Sequence, residues 1–402
     1  MLQKFNIKAV RHLLLCYRFV AHMGAFLIFI MYKIVFRPNI NMKRIISTLT
    51  LVAALVLAMA SHAQIRRQIH VPDIAGFTTL KCDFHLHTCF SDAAVWPDLR
   101  VEEALREGLD VITIADHFEY RHEEINADYN RSYDIAKAAG DANGILVIRG
   151  GEITRDMPPG HNNAIFLSDC NPCVQKEWRD AFRQAKKQNA FMFWNHPGWA
   201  RQQPDTTLWW PEHTEILNNG WMQGIEVANA STYFPEAHAW CLEKNLTMLG
   251  NSDSHNPVCM EKDFTKGEHR VMTFVLARER SIDAVREALE QKRTMVWVGD
   301  LLVSYEPYLR EFFEKSIEIV KITRSPKKCV IVVKNNSDIP FYLKKTEHDK
   351  RIEYFRTLTI KPQSQQTIAI YHPEDISERV INFQVTNLLA APNRGIDYSY
   401  NF

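Results

Sequence analysis

The chain has 402 residues, 46% hydrophobic and 24% charged, which is ordinary globular usage and excludes disorder, collagen and a coiled coil for most of its length. Long apolar runs occur only near the start, so a multi-spanning membrane protein is excluded as well. The net charge of +1 hides an asymmetry: residues 1–63 hold eight of the 48 Lys/Arg and none of the 47 Asp/Glu, so the remainder is acidic, unsuited to coating nucleic acid and suited to holding cations.

In chain order, the first segment reads as targeting. Met42-Lys43-Arg44 opens a basic stretch, Ile45 to Met59 is an apolar run without charge, and Ser61-His62-Ala63 gives a small-x-small site before Gln64. This is the layout of a secretory signal peptide over 42–63 and implies an exported, periplasmic or secreted protein. A membrane anchor is the competing reading, but the run is shorter than the roughly 18 residues a span needs. Residues 1–41 carry a second apolar run between Arg18 and Lys33 and read as a start-site extension or a membrane segment. Membrane contact is expected only through these segments, and residues 64–78 form a lead-in.

From 79 to 300 short apolar runs alternate with helical patterns. Strands are expected at Leu80–Phe84, Val111–Ala115, Ile145–Ile148, Ala190–Trp194, Gly224–Val227, Thr247–Leu249, Val271–Leu276 and Thr294–Val298. Helices are expected at Val101–Glu107, Gln175–Lys187, Pro235–Lys244 and Ser281–Gln291, the last with Ser281 as N-cap. Such alternation implies an α/β domain with a parallel sheet, closed or distorted into a barrel, with its site at the C-terminal strand ends. After 301 a short helix at Glu306–Lys315 leads to strand-like runs separated by turn residues, a small all-β sandwich-like domain over 301–402. It contains no cluster of His or acidic residues with ligand spacing. Cys170-Asn171-Pro172-Cys173 has no second CxxC to complete a zinc site, leaving a local disulfide or two thiols as alternatives.

The chemistry lies at the strand ends of the first domain. His85 and His87 are two apart, so in an extended chain both imidazoles point the same way. Asp92 follows in the same loop. Asp116-His117 ends the second strand, Glu152 follows Gly150-Gly151, His161 follows Gly160, Asn195-His196-Pro197 ends another strand, and Asp253-Ser254-His255 repeats the i, i+2 arrangement. Each alone is most simply a hydrogen-bonded loop residue or a turn former. Six successive sites converging at one end of a barrel are a different matter. Imidazole with carboxylate and no thiolate suits Zn, Mn or Fe(II) and argues against a structural Cys-type zinc site.

This ordered series, from His85-x-His87 to Asp253-x-His255, resembles the PHP (polymerase and histidinol phosphatase) family over residues 79–300, and within it the exported phosphodiesterase branch of the Sb-PDE type. The resemblance implies a distorted (β/α)7 TIM-like barrel with a trinuclear centre of up to three divalent ions. It implies His85, His87, Glu152 and Asp253 on the first ion, Asp92, His117 and His255 on the second, and a bridging Glu152 with His161 and His196 on the third. Ala115 stands where the family commonly has Thr, which removes a hydroxyl but no ligand.

The expected reaction is hydrolysis of a small phosphodiester by a metal-bound hydroxide. Asp253 or His255 would shuttle the proton, and Arg155 would contact the phosphate or make a solvent salt bridge, with Arg121 and His122 as weaker candidates; Trp209, Trp210 and Tyr233 would wall a pocket or, more simply, pack in the core. A diester is favoured over a monoester because few cations are visible for a dianion. The alternatives are a phosphomonoesterase, an amidohydrolase-type metal hydrolase on the same scaffold, and a metal-stabilised binding module. The partner expected is a small-molecule phosphate ester.

Overall fold

A computed structural model describes residues 66–121, 128–346 and 350–402. The signal-like segment, the stretch before it and His122 lie outside these residues. Among the described residues no helix is long and apolar enough to cross a membrane.

The first domain runs β1 (Thr78–Leu86), α1 (Pro97–Glu107), β2 (Val111–Ile114), α2 (Arg131–Asn143), β3 (Leu146–Ile153), β4 (Asn162–Ile165), α3 (Trp178–Lys187), β5 (Phe191–Trp194), α4 (Pro211–Asn218), β6 (Gly224–Asn229), β7 (Thr232–Tyr233), α5 (Pro235–Lys244), β8 (Thr247–Asn251), α6 (Val258–Glu261), β9 (Met272–Ala277), α7 (Ile282–Glu290) and β10 (Thr294–Val298). Local chemistry sets the ends. Pro97 opens α1 and Gly108, at φ +88°, closes it in the left-handed region. Ser281 caps α7 by accepting the Ala284 N–H at 3.2 Å.

β1, β2 and β3 pair in parallel, as do β5, β6 and β8. β4 runs antiparallel to both β3 and β5, so the barrel is not purely parallel. The seam between β8 and β1 is stitched only at the C-terminal end, where Asp253 N–H donates to His85 O (2.9 Å) and His87 N–H to Ser254 O (3.3 Å). Lower down, β9 wedges in antiparallel to β1, and Thr273 Oγ1 on β9 bonds both N–H and O of Gly250. This wedge distorts the barrel. Leu80, Phe84, Val111, Ile148, Phe193 and Leu249 pack as one buried cluster that ties β1, β2, β3, β5 and β8 together.

The second domain follows β11 (Leu301–Val303) and α8 (Glu306–Ser316) with β12 (Ile317–Ser325), β13 (Lys328–Asn335), β14 (Phe341–Lys345), β15 (Thr357–Ile360), β16 (Gln365–Tyr371), β17 (Val380–Ala391) and β18 (Arg394–Asn401). β12, β13 and β16 form one sheet; β15, β14, β17 and β18 form the other. The second sheet does not stop at the domain edge. β17 pairs in parallel with β11, which pairs with β10, so the sandwich extends the sheet of the barrel.

Cys170 and Cys173 are both buried free thiols, the second of the two alternatives. Burial pushes both up, Cys173 to about 12.

Candidate metal centre

Two strand irregularities aim side chains at the site. On β1 one extra residue enters between Asp83, opposite Ile112, and Leu86, opposite Ile114. On β6 one extra residue enters between Glu226, opposite Leu249, and Ala228, opposite Gly250. Bulges of this kind redirect side chains at the rims of barrels. Gly151 explains itself sterically: a Cβ there would sit 2.3 Å from the Phe118 ring, so only glycine lets β3 deliver Glu152 this close to the second strand end. His196 (φ +31°) and Asp253 (φ +54°) hold left-handed backbone without being glycine, strain of the kind that collects at functional sites.

The expected ligands converge. His85, His87 and Asp253 offer donor atoms within 4.8 Å of one another, as do His87, Asp92, His117 and His255, and also His117, Glu152 and His161. His85 Nε2 and His87 Nε2 face each other at 3.0 Å, with Asp253 Oδ1 3.2 and 3.1 Å away. Asp92 Oδ1 lies 3.4 Å from both His117 Nε2 and His255 Nε2. Glu152, fully buried, turns its oxygens in two directions. Oε1 meets His161 Nδ1 (2.8 Å) and accepts from Asn195 Nδ2 (2.9 Å). Oε2 lies 2.8 Å from His117 Nδ1, 3.4 Å from His87 Nε2 and 3.5 Å from His85 Nε2. His196 is the outlier, its Nε2 standing 3.8 Å from both Glu152 and Asp253.

The electrostatics are those of imidazoles packed around carboxylates. Burial pushes His87 down to about 4, with the neighbouring His117 charge adding to it. Burial also opposes the charge on His117, yet Glu152 and Asp92 carry it up to about 10. Glu152 and Asp253 are held below the usual carboxylate range by the surrounding imidazoles, against their burial.

Do these residues fit a cation? Glu152 Oε2 is the decisive atom. It is buried, three imidazole nitrogens surround it, and among the described residues it accepts no hydrogen bond. A buried carboxylate oxygen left in that state is costly unless a cation satisfies it. The donor set is all nitrogen and oxygen, which suits divalent cations.

A cavity of about 640 Å³ opens over the cluster. Its walls include Tyr120, Asp156, Trp199, Arg201 and Gln202, none of which a ligand motif singles out. Arg155 does not line it. Its guanidinium is paired with Glu119 and donates to Thr154 O and Gln175 O, each at 2.7 Å. The cation that does line the cavity, alone among the described Lys and Arg, is Arg201. Arg121 donates Nε–H to His117 O (3.0 Å) and lies over Tyr129. Neither Trp209, which packs on Trp194 and Trp240, nor Trp210 is among the residues that line the cavity. Glu226, a carboxylate inside the apolar strand Gly224-Ile225-Glu226-Val227, sits fully buried against His85 Nδ1 at 2.9 Å. Its only sequence signal is that charge in an apolar run.

A barrel that gathers buried imidazoles and carboxylates at one open end defines a metal-dependent hydrolase. A two-domain protein from Bacteroides vulgatus, containing a predicted PHP-like metal-dependent phosphoesterase, is 52% identical, covers 85% of this chain and 100% of its own, and superposes with a TM-score of 0.83. The chain belongs to the PHP-like metal-dependent phosphoesterases. Residues 316–401 match the Ig-like domain family DUF5001. More distant likenesses are a candidate metal-dependent phosphoesterase from Bifidobacterium adolescentis (17% identity, 52% of this chain, 95% of that one, TM-score 0.37) and an amidohydrolase from Chromobacterium violaceum (16%, 44%, 88%, 0.34). No curated relative matches.

Proposed function

We propose that this phosphoesterase is a phosphodiesterase acting on small phosphodiesters at a centre of up to three divalent ions. His85, His87, Glu152 and Asp253 would hold the first ion, Asp92, His117 and His255 the second, and Glu152, His161 and His196 the third. The observation that carries the reading is the divided carboxylate of Glu152, one oxygen among His85, His87 and His117 and the other beside His161. Bound ions would neutralise the substrate's charge and lower the pKa of a coordinated water. The chain supplies the rest. Asp253 and His255 line the cavity, and of the two Asp253, through the carboxylate oxygen not turned to the first ion, would take the proton that water gives up. His255 donates Nδ1–H to Asp253 O (2.8 Å), which directs its Nε2 towards Asp92. Trp199 packs edge-on to His196 and walls the cavity beside it.

The preference for a diester rests on charge. Arg201 stands among Asp92, Asp156, Glu152 and Asp253 in the lining, a balance suited to a monoanion rather than a dianion. Turnover of a nitrophenyl phosphodiester against its monoester, after loading with Zn or Mn, tests this; the diester should be the faster substrate. A faster monoester would overturn the reading in favour of a phosphomonoesterase. The same reading takes residues 42–63 as an export signal and places the mature protein outside the cytoplasm, starting at Gln64. N-terminal sequencing of exported material checks that start.

A further inference from the structure

We infer that Glu226 is a positioning residue that sets the proton of His85 and thereby readies both the first and the third ion sites; this rests on the metal-centre reading above. Glu226 is fully buried and accepts four hydrogen bonds, two on each oxygen. Oε1 takes His85 Nδ1 and Asn251 Nδ2, each at 2.9 Å. Oε2 takes the His196 backbone N–H at 2.7 Å and Asn229 Nδ2 at 2.8 Å. No lone pair remains for an ion, so Glu226 is no ligand itself.

The orientation of the neighbours fixes the proton on His85. The Oδ1 of Asn251 accepts the Phe84 N–H at 2.8 Å, which turns its NH₂ group towards Glu226. As a carboxylate Glu226 offers only lone pairs, so the hydrogen bond to His85 is donated by the imidazole and Nδ1 carries the proton. His85 Nε2 then presents its lone pair beside His87 Nε2 and Asp253 Oδ1, where the first ion would sit. A carboxylate on the far nitrogen of a liganding imidazole fixes its tautomer and raises its basicity. The other oxygen works on the backbone. His196 stands at φ +31°, and its N–H is held by Glu226, so the strained turn that carries the third-site imidazole is anchored on the same group. The local bulges on β1 and β6 bring the two together, since each falls beside one member of the His85–Glu226 pair.

The test uses the full chain loaded with Zn²⁺ and labelled with ¹⁵N-histidine. In the wild type His85 should show Nδ1–H with a metal-bound Nε2; the opposite arrangement overturns the inference. Glu226→Gln keeps the shape but replaces one acceptor oxygen with an NH₂ group that faces donors. Zn²⁺ affinity, titrated against a chelating dye, should fall about 10–100-fold at the first site, and the third site should weaken with it. His161→Ala should weaken the third site alone. Wild-type affinity in a folded Glu226→Gln protein overturns the inference, and if that variant does not fold, the His85 spectrum of the wild type decides. First-site Zn²⁺ binding lost in His85→Ala but intact in Glu226→Gln removes only the role of Glu226. First-site binding that survives His85→Ala removes the metal-centre reading with it.

Discussion

At Glu152 one carboxylate serves two groups of imidazoles, with Oε2 among His85, His87 and His117 and Oε1 against His161. Glu152→Gln should therefore lower metal content by more than one ion per chain, measured by elemental analysis, and nearly abolish turnover; wild-type content would remove the bridging role. Arg201 and Arg155 make a second contrast. Arg201→Ala removes the cavity's cation and should raise KM more than it lowers kcat, the signature of a contact made equally in ground and transition states. Arg155→Ala should leave KM unchanged, because that guanidinium is spent on Glu119 and two carbonyls; steady-state kinetics of the pair distinguishes them. The candidate ligands were legible in the sequence because they fall at strand ends in a fixed order. Arg201 was not, because a cavity wall drawn from the loop after His196 has no spacing rule. Arg155 takes the second of its two readings, an ion pair: three residues from Glu152 in sequence, it turns to Glu119, whose own Oε2 accepts the Thr154 N–H.

The strands were easier to read than their directions. β5 and β10 are short apolar runs bounded by turn signals, and their limits follow closely from that pattern. β4 was missed because Asn162-Asn163-Ala164-Ile165 lacks strand composition; its pairing on both sides, with Asn163 accepting from Asn195 Nδ2, holds it in place. α2 was missed because its apolar face is built mostly from Ala136 and Gly140 rather than large residues. At the opposite end of the barrel from the site, Asp110 ties the turn before β2 to β1: it accepts the Lys81 N–H at 2.9 Å and pairs with Arg66 and the Lys81 ammonium. Burial would raise its carboxyl, but Lys81 and Arg66 hold it below the ordinary value. A depressed folded pKa gives stability that is present above the unfolded value of about 3.9 and is lost as pH falls through the folded one. Asp110→Asn should cost about 1–3 kcal/mol at neutral pH, and the gap to wild type should close on acidification below about pH 4. Urea unfolding at pH 7 and pH 3 measures both. On β3, Gly151→Ala should cost a similar amount or more through the clash with Phe118, and should reduce metal content by displacing Glu152.

Across the whole molecule the sequence marks a change of texture near residue 301, yet the chain does not part there. β11 is only three residues long and carries no strand signal of its own, but it lies between β10 of the barrel and β17 of the Ig-like domain. Polar bonds lock the junction: Asn387 Nδ2 donates to Asp300 O and to Pro340 O, each at 2.7 Å, and Ser304 Oγ donates to Thr294 O at 2.6 Å. Apolar packing follows the same line. Val296, Val298, Val303 and Leu389 are buried in one cluster with the strands behind the site, and Phe312, Phe341 and Val385 share another with Leu86 and Ile112 of the barrel. Every expected ligand lies between 85 and 255, and among the described residues the Ig-like domain lines no part of the cavity, but it covers an edge that the barrel cannot leave bare. An uncovered β10 would present unpaired backbone and buried valines, the usual template for aggregation. A chain ending at Gly299 should therefore be largely insoluble, and the intact protein should unfold in one calorimetric transition, because two domains that share a sheet and two apolar clusters lose them together. Two well-separated transitions, with a soluble truncate that binds metal as tightly as the full chain, would show that the shared sheet is an accessory contact and that the barrel is stable without it.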